Sequence, residues 1–227
     1  MNDPGRVVPL LRVAGLTRHY ERGAVKALEG VSFDGHPGEV LAVTGPSGCG
    51  KSTLLSLIGL LDRPTAGRVR IAEEDLSRVS RPSGFRARRI GFVFQFHHLV
   101  PTMTLLENVG APMVALGVPR ARRRERAREL LERMDLGARA GFLPSRVSGG
   151  ERQRAAVARA LANHPAVILA DEPTGNLDSR NGEAVLDLLL THARDQAALV
   201  LLASHSPEVA RAADRRIALR DGRLVPG

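Results

Sequence analysis

The stretch GPSGCGKST, Gly45 to Thr53, sets three glycines and a lysine at fixed offsets and fits the pattern G-x-x-x-x-G-K-[ST]. Before it, GEVLAVTG reads as a strand; after it, KSTLLSLIGLL reads as an apolar helix, which is the context the pattern requires. Glycines permit a turn whose backbone N–H groups converge on phosphate oxygens, and the helix adds the positive end of its dipole. Lys51 is placed to reach the β- and γ-phosphates of a nucleotide, and the Ser52 hydroxyl to bind Mg2+. Gly45, Pro46, Ser47, Gly48, Cys49, Gly50 and Thr53 complete the expected cradle. Only two of the 33 basic residues, Lys26 and Lys51, are lysines. A lysine kept among arginines points to a need for a compact ammonium. Cys49 reads first as a small filler. A reactive thiol at a helix N-terminus is the lesser reading, and it predicts that alkylation blocks nucleotide binding.

Further along, AVILADEP reads as a central parallel strand, buried on both faces, from which Asp171 and Glu172 emerge. Ligands of open α/β sheets bind outside the carboxyl ends of strands. Asp171 is expected to hold Mg2+ and Glu172 to orient an attacking water.

Between these segments, RVSGGERQRAAVARALA (146–162) opens a strong helix with Gly149 and Gly150. Ser148 and Glu151 match a capping box, which alone is a sufficient reading. Two glycines weigh against a plain cap, because each costs roughly 1 kcal/mol against alanine in a helix interior. They leave N–H groups uncovered for an anion. The chain thus carries two phosphate-receiving helix ends about a hundred residues apart, and one nucleotide is not expected to touch both. The second end is expected to complete the site of another copy, so that two chains sandwich two ATP molecules.

Bulk properties bound the alternatives. A chain of 227 residues can bury one large core. The single cysteine excludes disulfide frameworks and cysteine metal cages, and fits a reducing cytoplasm. Aromatic residues are 3% and tryptophan is absent, so despite a net charge of +9 no nucleic-acid partner is expected. Pro9 and Arg12 break the N-terminal apolar run, and the runs LLSLIGLL and AALVLLA fall short of the ~18 residues that span a bilayer. The sequence reads as a soluble chain without a targeting signal.

The remaining pattern alternates strands and helices. LLRVAGLTRHY and VSFDGH read as strands flanking a turn at Arg22–Gly23, followed later by strands RVRIA and RIGFVFQ. A helical stretch begins near residue 103, and RARRRERARELLERMDLG is expected to end with Gly137 as its C-cap residue. Its run Arg120–Arg128 reads as a solvated face, with acidic headgroups the lesser reading. A helix from about Asn181 to Gln196, strand ALVLLAS, a short helix near PEVARAA and a hairpin RIALRDGRLV close the chain. The pair His97–His98 makes a poor metal site, since adjacent side chains face apart.

With the phosphate loop, Gln95, VSGGERQR, ILADEP, NLD and His205 in this order, the chain resembles the ATP-binding subunits of ABC transporters over nearly its whole length. The resemblance implies an α/β fold: a P-loop NTPase (RecA-like) core, with an antiparallel β subdomain, at about 1–95 and 159–227, and a helical subdomain at about 96–158. It implies ATP and Mg2+ as cofactors, a homodimer in the ATP-bound state, and integral membrane permease subunits as partners at the cytoplasmic face of the inner membrane. It further implies that Tyr20 stacks on adenine and that Gln95 senses Mg2+ and signals to the membrane partner. Ser148 and Gly150 would contact the γ-phosphate of the opposite subunit's ATP, beside Gly149. Asp178 would link the two sites and His205 would contact the γ-phosphate.

FQFHHLVPTMTLLENV (94–109) and DEPTGNLD (171–178) look like the branch with lipoprotein-releasing, macrolide-exporting and cell-division ATPases, the histidine pair most like the lipoprotein-releasing members. Val147, where leucine is usual, and ASHS around His205 depart from the family pattern. A cell-division-type ATPase that signals without transport is the alternative. A DNA-associated ABC ATPase would need a long coiled coil before SGGE, and no sustained heptads lie there.

Overall fold

In the computed structural model, residues 8–225 are described; residues 1–7 and 226–227, the ends of the expected domain, lie outside them. Three apolar runs form adjacent central strands: β3 (Val40–Thr44), β7 (Val167–Asp171) and β8 (Leu199–Ala203). Side chains alternate between the two faces of a strand. Val200 and Leu202 of β8 therefore join one hydrophobic core while Leu199, Leu201 and Ala203 join the other. In β7, Ile168 and Ala170 divide from Val167 and Leu169 in the same way. Burial on both faces is why these runs show no polar alternation.

Among the described residues, these strands belong to a six-stranded sheet completed by β6 (Ile90–Phe94), β9 (Arg215–Arg220) and β10 (Arg223–Val225), in the order β10-β9-β3-β8-β7-β6. All neighbours are parallel except β10 with β9. The register aligns Phe94 with Asp171 and Asp171 with Ala203, so Gln95, Glu172 and Ser204 leave the sheet at one edge. A second, antiparallel sheet, β2-β1-β4-β5, comprises β1 (Leu11–Tyr20), β2 (Val25–Gly35), β4 (Ala66–Ile71) and β5 (Glu74–Asp75). Its buried face shares a core with α1 (Lys51–Ile58).

The opposite core lies between the central sheet and four helices: α3 (Leu105–Val114), α4 (Arg120–Arg133), α5 (Gly149–Leu161) and α6 (Ser179–Asp195). The ladder of ion pairs on α4, Arg122–Glu125, Arg126–Glu129 and Arg133–Glu129, fits the solvated face read from the sequence. Helix α7 (Pro207–Ala212) precedes β9.

Two local expectations are adjusted, and one helix is added. Gly137 is not the C-cap of α4, which ends at Arg133. Asp135 takes the left-handed conformation there (φ +55), and the Leu136 N–H bonds back to Leu131 O at 2.7 Å. Helix α6 starts two residues before Asn181, because Asp178 is its N-cap. A further helix, α2 (Pro82–Arg89), was not read from the sequence: it is rich in arginine and buries only Phe85 fully.

Candidate active site

The loop after β3 is shaped by contacts that admit no side chain. A Cβ on Gly45 (φ +147) would lie 2.1 Å from Leu219 O, and one on Gly50 (φ +108) 2.5 Å from Ala27 O. The loop is thereby seated between β9 and β2. Helix α1 then begins at Lys51 with no side-chain cap and no acidic residue in its first turn, leaving its end open to an anion. The Lys51 ammonium donates to Gly45 O at 2.8 Å and Pro46 O at 3.1 Å, which parks it across the loop.

A cavity of about 820 Å³ opens over this helix end. It is lined by Tyr20, Ser47, Gly48, Gly50, Lys51, Ser52, Thr53, Gln95, Asp171, Glu172 and His205, most of the predicted residues, with Val25, Lys26 and Ala27 from β2. Gly45, Pro46 and Cys49 build the loop without lining the cavity. Cys49 is 4% exposed and packs into the core beside Leu28 and Leu54, so its side chain is the filler and not a cofactor contact; alkylation requires local opening first. Tyr20 is braced: Arg18 lies over its ring at 4.4 Å and its hydroxyl donates to Asp62 at 2.8 Å.

Burial pushes the Asp171 carboxyl above the usual carboxylate range; the Ser52 hydroxyl and Lys51 oppose this, and the charge of Glu172 adds to it. A half-buried carboxylate in excess of its donors, facing a hydroxyl, fits a hard cation that keeps most of its ligands from water and phosphate. Among the described residues no cluster of three or more His, Cys, Asp or Glu could cage a metal, and Mg2+ needs none. Because the folded value is raised, the ionised form is penalised in the fold, and stability falls as pH rises from the ordinary Asp range through the raised value. Asp171→Asn is therefore expected to melt above the unaltered chain at pH 8 without nucleotide, the gap closing towards pH 4, and to lose Mg2+-dependent hydrolysis. A lower melting point at pH 8 would contradict this.

Glu172 adopts a left-handed backbone (φ +45), a strained conformation for a residue with a side chain. It is over-determined there. Its N–H donates to Ala203 O at 2.8 Å. Its carboxylate accepts the Ser204 hydroxyl at 2.8 Å and the His205 N–H at 3.2 Å, and lies 2.8 Å from His205 Nδ1. Ser204 is 2% exposed. ASHS departs from the family pattern, yet Ser204 supplies a hydroxyl that holds Glu172. Gln95 is hydrogen-bonded to Asn176, whose Nδ2 donates to Gln95 O at 3.0 Å and whose Oδ1 accepts from Gln95 Nε2 at 3.4 Å. Neither Ser204 nor Asn176 is given a role by the sequence alone, although Asn176 opens the NLD motif and Ser204 precedes His205.

Ser148, Gly149, Gly150 and Asp178 do not line this cavity. The capping box does form: Ser148 Oγ accepts the Glu151 N–H at 3.2 Å, and Glu151 Oε2 accepts the Ser148 N–H at 2.7 Å. Two glycines do not disfavour the cap, since capping uses only Ser148 and Glu151. The glycines still lack an internal reason. A Cβ on Gly149 would meet nothing closer than 3.9 Å and one on Gly150 only Asn181 at 3.4 Å, and neither φ is positive. Asp178 caps α6 by accepting the Asn181 N–H at 3.1 Å, and Asn181 lies against Gly150, so the two helix ends are side by side.

A family model described as ABC transporter matches residues 28–175. A lipoprotein-releasing system ATP-binding protein of Caulobacter vibrioides is 48% identical over 220 residues, covering 95% of this chain and 96% of its own. One from Gluconobacter oxydans is 47% identical over 230 residues, covering 100% of both. A solved dimer of the ATP-binding cassette MJ0796, in a post-hydrolysis state bound to ADP and Pi, aligns with a TM-score of 0.87 at 38% identity, over 95% of this chain and 97% of that one. With the phosphate loop, the acidic strand end and the α/β sheet already in place, the chain belongs to the ABC transporter family, as an ATP-binding subunit that hydrolyses ATP with Mg2+.

Proposed function

We propose that this subunit powers lipoprotein release, as one of two copies held by integral membrane permease subunits at the cytoplasmic face of the inner membrane. The names of the relatives support the lipoprotein-release branch over macrolide export. Among the described residues no helix is long and apolar enough to cross a membrane, so the attachment is assigned to a partner. An apolar groove of about 330 Å³, lined by Leu61, Phe92, Phe94, His98, Pro112 and Arg159, supports docking of a permease segment beside Gln95. Phe96, 68% exposed, stands on the same segment.

The catalytic site is read as shared between copies. The observation that carries this is a pair of glycines in the first turn of α5 that nothing in their own chain requires, outside the cavity that gathers the phosphate loop. In each half-site Lys51 and the α1 N-terminus hold phosphates, and Tyr20 packs on the base. Ser52 and Asp171 hold Mg2+, which supplies positive charge against the phosphate oxygens. Glu172 takes a proton from the attacking water. With Nδ1 turned to Glu172, His205 presents Nε2 to the γ-phosphate. Gln95 reports the state of the site to the groove. Ser148 and Gly150 of the second copy donate to the γ-phosphate, and Asp178 links the two sites across the dimer.

Vesicles carrying the chain with its co-purifying membrane subunits test the transport role. Release of a lipoprotein from the vesicles on adding ATP and Mg2+ is expected. Hydrolysis without release would favour the cell-division type of signalling.

A further inference from the structure

Gln153 of α5 is 1% exposed and belongs to no role given so far. Its amide nitrogen donates to Pro173 O at 2.7 Å and to Phe94 O at 3.2 Å. These carbonyls belong to the residues immediately after Glu172 and immediately before Gln95. Two carbonyl acceptors on one side fix which end of the amide carries nitrogen. Its oxygen is then buried with no partner. A buried acceptor left unmade opposes folding, so the side chain is held for what its amide nitrogen grips, the two carbonyls on either side of the site.

The same helix grips the far side of Gln95. Arg159 donates to His97 O at 2.6 Å and also to His98 O. His97 and His98 both have left-handed backbones, φ +63 and +48, so the bend after Gln95 is strained and held from α5. Phe94 and Asp171 are register partners on neighbouring strands. Gln153 therefore bridges the exits of both strands that carry the catalytic loops. It stands three residues from Gly150, about 4.5 Å along the helix axis.

We propose that Gln153 is a positioning residue that makes the two sites of the dimer cooperative. When the Ser148–Gly150 end of α5 engages the neighbour's nucleotide, Gln153 carries the displacement of the helix to Gln95 and Glu172 of its own chain. This rests on the shared-site reading above.

Gln153→Met keeps the length and removes the donor; Gln153→Glu keeps the shape and sets a carboxylate against both carbonyls. Each full-length variant is assayed for nucleotide binding as a monomer with a fluorescent ATP analogue, for hydrolysis against ATP concentration, and for cooperative melting. Monomer binding is expected to stay near that of the unaltered chain, kcat to fall roughly 10- to 100-fold, and the Hill coefficient to fall from its two-site value towards about 1. A folded variant of either kind that keeps both kcat and the Hill coefficient overturns the proposal. So does a variant whose monomer binding weakens in step with kcat, since that marks general loosening. Failure of both variants to melt cooperatively also overturns it, by making Gln153 a residue of the core. A Hill coefficient of about 1 in the unaltered chain would instead remove the shared-site reading on which the proposal stands.

Discussion

Glu172→Gln is expected to leave ATP binding intact, to lower turnover by roughly 10²- to 10⁴-fold, the range of a general base, and to accumulate an ATP-bound dimer. The carboxylate in place accepts from Ser204 and from the His205 N–H, beside His205 Nδ1. An amide of the same shape has one acceptor oxygen. The Ser204 hydroxyl can turn to accept from the new NH2 group, and the imidazole can change tautomer, so the loop survives the exchange. What is lost is the capacity to take a proton from water. Phosphate release and gel filtration in ATP read the two effects separately. Near-normal turnover would place the base elsewhere.

Gly150→Asp is expected to bind nucleotide as a monomer and to lose hydrolysis by roughly 10²- to 10³-fold or more, the scale on which removing a preorganised donor to a reacting oxygen acts. A Cβ at this position comes into ordinary contact range of Asn181 without a clash. A carboxylate in the first turn of a helix favours the macrodipole by about 0.3–1 kcal/mol, so thermal stability is retained. The same charge would repel the phosphate that this helix end is proposed to receive. Gly150→Ala, a methyl without charge, separates closeness of approach from repulsion and falls between the two. Hydrolysis that survives Gly150→Asp in a folded chain would remove the trans contact.

These outcomes depend on features that were unequally legible. The phosphate loop was fully local: Gly45, Gly50 and Lys51 sit within seven residues, and the strand and helix on either side are apolar runs. Strand β7 was legible because burial on both faces erases polar alternation, and Asp171 and Glu172 are where that run stops. The partners that hold the site were not. Asn176 meets Gln95, Gln153 meets Phe94 and Pro173, and Ser204 meets Glu172 only after the parallel strands align their carboxyl ends. Asn108 is the same kind of residue: buried, it bonds Val100, Met103 and Thr104 and fixes the loop beyond Gln95. In the sequence it is a polar residue next to Glu107 in an otherwise apolar helix. Gly137 misled because glycine is the common left-handed terminator, whereas Asp135 takes that conformation two residues earlier.

The division of the site between copies is tested most directly by the rate of ATP hydrolysis per chain as the protein is diluted through its association range. If each half-site lacks the other's α5 terminus, the specific rate falls with dilution towards zero while monomer nucleotide binding persists. An undiminished rate per chain in a strictly monomeric solution would contradict it.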